Sequence, residues 1–67
     1  MIYVQSRAGA GMGDHYDTLL YTSAADLKNN GVLDTDEGKI TVKPGAIAYM
    51  AGLTAMKQFT GSAWVDA

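Results

Sequence analysis

The chain contains no cysteine, one histidine and one proline among 67 residues. Without cysteine there is no disulfide framework and no thiolate zinc site. A single histidine, His15, cannot anchor a nitrogen-rich metal site alone. Positive charge is also scarce: Arg7, Lys28, Lys39, Lys43 and Lys57 are scattered against seven acidic residues, for a net charge of -2. No basic patch can neutralise a run of phosphates, so nucleic acid is excluded as a partner. Nor is there an apolar run long enough to cross a bilayer, or a basic start followed by a signal-peptide core; the expectation is a chain made and retained in a cytoplasm, with no membrane partner.

What is present is a small apolar inventory, 48% of the residues, including one Phe, one Trp and four Tyr. A single domain over 1–67 is expected. Chains of this length bury only about 60% of the surface they expose when unfolded. Lacking disulfide and metal staples, such a chain gains most from association with a partner or with itself.

Residues 2–6, "IYVQS", read as a strand, and so do 18–22, "TLLYT". In "SAADLKNNG" Ser23 is placed to cap a short helical turn, with Asp26 at its third position and Gly31 at its close. "GVLDTDEG" (31–38) reads as an acidic turn region. "KITVKP" (39–44) alternates as a strand with one wet face, and Pro44 ends it or marks an edge. "AIAYMA" (46–51), "AMKQFT" (55–60) and "AWVDA" (63–67) complete the strands. The expected fold is mainly β: a small antiparallel sheet or meander of about five strands with one short helical turn.

The last hairpin can be registered from sequence. Gly61-Ser62 suits a type II′ turn, since glycine accepts positive φ at its first central position. That turn pairs Thr60 with Ala63, Phe59 with Trp64, Gln58 with Val65, and Lys57 with Asp66. Turn, aromatic pair and charge pair all select one register.

Each chemical motif fails on spacing. "RAGAGMGDHYD" (7–17) has Gly9, Gly11 and Gly13, with Asp14 where a dinucleotide fingerprint needs its third glycine, and a strand-like segment follows instead of a helix. It reads as a Gly-rich flexible loop or arm. Asp14, His15 and Asp17 could surround a cation, but mixed oxygen and nitrogen ligands without a converging second histidine define no metal, and a solvated turn is the simpler reading. "DTDEG" departs from a calcium loop at positions five, six and twelve, occupied by Gly38, Lys39 and Gly45. Ser6, Ser23 and Ser62 sit where serine is wanted structurally, and no nucleophile elbow surrounds them. No catalytic residue, cofactor or metal is expected, and the chain is not expected to be an enzyme.

From Tyr21 onward the pattern resembles that of small virion-associated structural proteins of tailed bacteriophages and prophages, chiefly of Gram-positive and gut bacteria. "GAIAY", a turn and strand, a glycine turn, then "WV" carry the likeness at Gly45, Ala46, Ala48, Tyr49, Gly61, Trp64 and Val65. "IYVQSRAGAG" is similar to the start of some of these proteins, while "MAGLTAMKQF" lacks the second aromatic often found in the centre of their penultimate strand. The resemblance covers most of the chain. It implies a capsid-associated, decoration or tail-accessory role, in the virion and in the host bacterial cytoplasm during assembly. The implied partners are further copies of the chain and other virion proteins. Ile47, Tyr49, Phe59, Trp64 and Val65 are the expected core or interface anchors. A rival reading makes Tyr49, Phe59 and Trp64 a sugar-stacking platform of a small ligand-binding module.

Overall fold

A computed structural model describes residues 1–7 and 17–67. The Gly-rich loop or arm expected at 7–17, with Asp14 and His15, falls outside the described residues apart from its two ends. Among the described residues seven strands form one sheet: β1 (Ile2–Ser6), β2 (Thr18–Tyr21), β3 (Val32–Thr35), β4 (Gly38–Thr41), β5 (Ile47–Met50), β6 (Thr54–Phe59) and β7 (Trp64–Asp66). The spatial order is β4-β3-β1-β2-β5-β6-β7.

The protein is mainly β, as its composition and alternation indicate, with one 3-10 turn among the described residues, at Ala24–Asp26. Ser23 precedes that turn but makes no side-chain cap; its carbonyl accepts the Asp26 amide at 3.0 Å instead. The strand count exceeds the five expected, and two junctions, β1 with β3 and β2 with β5, are parallel.

Six of the seven strands fall on segments whose sequence reads as a strand; the seventh, β3, lies inside the stretch read as an acidic turn. Leu33 and Thr35 point inward and are buried, while Asp34 points out, so one acidic residue serves as the wet half of an alternation. Only Asp36 and Glu37 form the turn into β4. The Thr35 hydroxyl fixes it, donating to the Gly38 carbonyl at 2.7 Å and accepting the Glu37 amide at 3.1 Å. Asp36 also ties β3 to β1: its amide donates to the Ile2 carbonyl at 2.9 Å, and its carboxylate accepts the Val4 amide at 3.0 Å.

The sheet is rolled, and the chain path requires it. Val42 still belongs to the β3–β4 ladder, its amide donating to Gly31, while the Gly45 amide already donates to Phe59 in the next ladder. In a flat sheet β4 and β5 would lie about 19 Å apart, four strand spacings. Three residues of extended chain span only about 11 Å. The two ends of the sheet therefore curl towards each other over a common core.

That core consists of Ile2, Leu19, Tyr21, Leu33, Ala46, Ala48 and Phe59 from the inner face and its margins, closed by Leu27 and Val42 from connections. Burying each large aliphatic side chain contributes about 1.5–3 kcal/mol. Tyr21 is buried with its hydroxyl donating to the Ala55 carbonyl, so its polar end is satisfied. At the seam, the Phe59 ring lies over Gly31, where an added Cβ would sit 3.0 Å from the ring. Gly31 has φ 78°, which glycine alone adopts without strain.

Candidate functional site

The β6–β7 hairpin has the register its sequence specifies: Lys57 opposite Asp66, Gln58 opposite Val65 and Phe59 opposite Trp64. Gly61 has φ 107°, the sign the turn needs. The loop is closed by a side chain: the Thr60 hydroxyl accepts the Ser62 and Ala63 amides at 3.3 and 3.1 Å. The Phe59 and Trp64 rings lie 5.1 Å apart, tilted by 36°. Trp64 also reaches across the seam. Its indole N–H donates to the Lys28 carbonyl at 3.0 Å, and its amide donates to Asn29 Oδ1 at 3.3 Å.

Lys57 and Asp66 form an ion pair at the rim. The hydrogen bond between them, reinforced by charge attraction, raises the lysine above its ordinary value and lowers the aspartate below its own.

The same registers define the outer face. Tyr3, Leu20 and Tyr49 lie side by side across β1, β2 and β5. Thr18, Ile47, Gln58 and Val65 form the next row, across β2, β5, β6 and β7. Met56 lies on this side too, because its neighbour Lys57 faces inward beside Ala48. Tyr3, Met56 and Val65 are exposed; Leu20, Ile47 and Tyr49 are half-buried. None of these residues is charged. The outward charges of the sheet, Asp34 and Lys39, lie apart on β3 and β4 and face each other at 3.7 Å.

The five anchors expected from sequence therefore divide. Phe59, 3% exposed, and Trp64, half-buried, belong to the inner face and its seam; Ile47, Tyr49 and Val65 belong to the outer face. Tyr49, Phe59 and Trp64 do not share a face, so they do not form one stacking platform. Tyr3, Leu20 and Met56 complete the outer face without having been singled out. Their signal was available in the period-2 pattern of "IYVQS" and "TLLYT", once a neighbouring strand sets the face.

Asp17 is buried rather than solvated: its carboxylate accepts Arg7 Nε at 3.0 Å, and its carbonyl accepts the Ile47 amide at 2.9 Å. Opposite charges flanking a glycine segment were the readable sign of this clamp. Ser6 ends β1 and Ser62 sits in the final turn. Among the described residues no group of three or more acidic or imidazole side chains is placed to hold a metal ion. No described helix is long and apolar enough to cross a membrane.

The tip of the β5–β6 hairpin carries a separate irregularity. Leu53 and Ala55 have φ of 57° and 47°, and Leu53 is 67% exposed. A leucine in the left-handed region, with most of its side chain in water, gains little from this fold. Compared with known protein families, curated proteins and solved structures, the chain matches none.

Proposed function

We propose that this chain is a non-enzymatic structural protein of a phage or prophage particle. It self-associates or docks on the virion as a capsid-associated, decoration or tail-accessory component. The observation carrying this reading is the outer face, on which five adjacent strands present tyrosine, methionine and aliphatic side chains without a charge. Depletion of charge together with aromatic and methionine side chains is the composition of a protein-contact surface. The virion as the place of action comes from the sequence resemblance at Gly45–Tyr49 and Gly61–Val65.

Mass spectrometry of gradient-purified particles from an induced host carrying the gene tests the proposal. The expected result is the chain in the particles at a fixed copy number relative to the major shell protein. A chain found only in the particle-free fraction overturns it.

One observation favours the carbohydrate-binding alternative: Tyr3 and Tyr49 occupy one row of the outer face, with Leu20 between them. That reading requires tyrosine emission to change on titration with oligosaccharide, whereas the structural reading requires it to stay constant.

A further inference from the structure

We infer that Asn30 is a site of spontaneous deamidation, and that the seam around Gly31 governs its rate. The inference goes beyond the particle role and does not depend on it, since it concerns the chain's own covalent chemistry.

Asn30 is followed by Gly31, whereas the chain's other asparagine, Asn29, is followed by Asn30. An asparagine side chain can cyclise onto the backbone nitrogen of the next residue. Glycine permits this best, because no Cβ crowds the approach and the backbone bends freely. In the reaction the Gly31 nitrogen gives up its proton and attacks Asn30 Cγ. A bond forms between that nitrogen and Cγ, the bond from Cγ to the side-chain nitrogen breaks, and ammonia leaves with the proton. Water then opens the succinimide at either carbonyl, giving aspartate or isoaspartate. Water is the only co-reactant, and nothing is oxidised or reduced.

The structure presents one reactant and withholds the other. Asn30 is exposed, so water reaches its carboxamide. Its Oδ1 accepts the Val32 amide at 3.0 Å, an Asx turn that keeps the carboxamide near the Gly31 peptide. The nucleophile is held back. Gly31 is buried, and its N–H donates to the Lys28 carbonyl at 3.0 Å. That same carbonyl accepts the Trp64 indole N–H, also at 3.0 Å, and the Trp64 amide donates to Asn29 Oδ1 at 3.3 Å. The last hairpin thus grips both residues that precede Asn30, while the Phe59 ring covers the residue that follows it.

A succinimide carries no hydrogen on its ring nitrogen, so the Gly31–Lys28 bond must break before the ring closes. Cyclisation therefore proceeds from the fraction of molecules in which this turn is open, and its rate follows that fraction. The product acts back on the seam. Isoaspartate routes the main chain through Cβ and Cγ, lengthening it by one atom immediately before the glycine fitted beneath Phe59.

Tandem mass spectrometry of the full chain, sampled during incubation in mildly alkaline buffer, locates the exchange of amide NH2 for OH and gives its rate. Wild type is followed with and without guanidinium chloride, beside Trp64→Phe, whose folding is verified by far-ultraviolet circular dichroism. The expected result is conversion at residue 30, at least about tenfold faster in guanidinium chloride than in buffer. In buffer Trp64→Phe should convert about fivefold faster than wild type, the factor for one lost hydrogen bond to the Lys28 carbonyl. Absence of conversion at Asn30 in the unfolded chain, or conversion at Asn29 instead, overturns the site. Equal rates with and without guanidinium chloride, or a folded Trp64→Phe converting at the wild-type rate, overturn control by the seam.

Discussion

Gly31 joins the two halves of the molecule through the absence of a side chain. Its φ of 78° is unfavourable for any other residue, and the Phe59 ring occupies the space a Cβ would take. For Gly31→Ala the left-handed backbone alone costs about 1–2 kcal/mol, before Phe59 shifts to relieve a 3.0 Å contact. The melting temperature should fall by at least ~5 °C, at about 4–8 °C per kcal/mol for a domain of this size. An unchanged melting temperature would mean that the seam between Gly31 and Phe59 contributes nothing. Leu53 is the opposite case, a side chain placed where glycine would be easier. Among the described residues nothing accounts for a leucine at this position.

Elements differ in how far they can be read from sequence, and the difference follows from locality. β1 is readable to the residue because "IYVQS" combines apolar alternation with a glycine boundary. The β6–β7 hairpin is readable to its register because turn, ring pair and ion pair lie within ten residues. β3 is hidden because Asp34, Asp36 and Glu37 suggest a turn, although only the last two form one. The parallel contacts of β1 with β3 and of β2 with β5 depend on where distant segments return, which no local pattern encodes. The outer face was half readable for the same reason: Ile47, Tyr49 and Val65 stand out in their own strands, while Tyr3 and Leu20 join them only through the sheet order. At this scale Trp64 decides whether the last hairpin stays on the core. Trp64→Ala removes the ring pair with Phe59 and the bond to the Lys28 carbonyl. Loss of a partly buried tryptophan should cost about 2–3 kcal/mol. Trp64→Phe keeps the packing and loses one hydrogen bond, for about 1 kcal/mol. Urea midpoints ordered wild type, Trp64→Phe, Trp64→Ala check this; equal midpoints would remove Trp64 from the account of stability.

For the whole molecule, the rolled sheet makes one continuous core from both halves of the chain. A 67-residue domain has about 3–10 kcal/mol of net stability, too little to leave one half standing after the seam opens. Unfolding should therefore be a single transition, with Trp64 fluorescence and far-ultraviolet circular dichroism tracing the same curve against urea. Fluorescence moving at lower urea would show the seam opening ahead of the sheet.

The seam also has a meaning in time. Gly31, Lys28 and Asn29 leave the ribosome well before Phe59 and Trp64, the residues that cover them. Until Phe59 and Trp64 pack against this core, Ile2, Leu19 and Leu33 line a trough open to any apolar surface nearby. Docking of the β6–β7 hairpin is thus the step that ends this core's vulnerability to wrong partners.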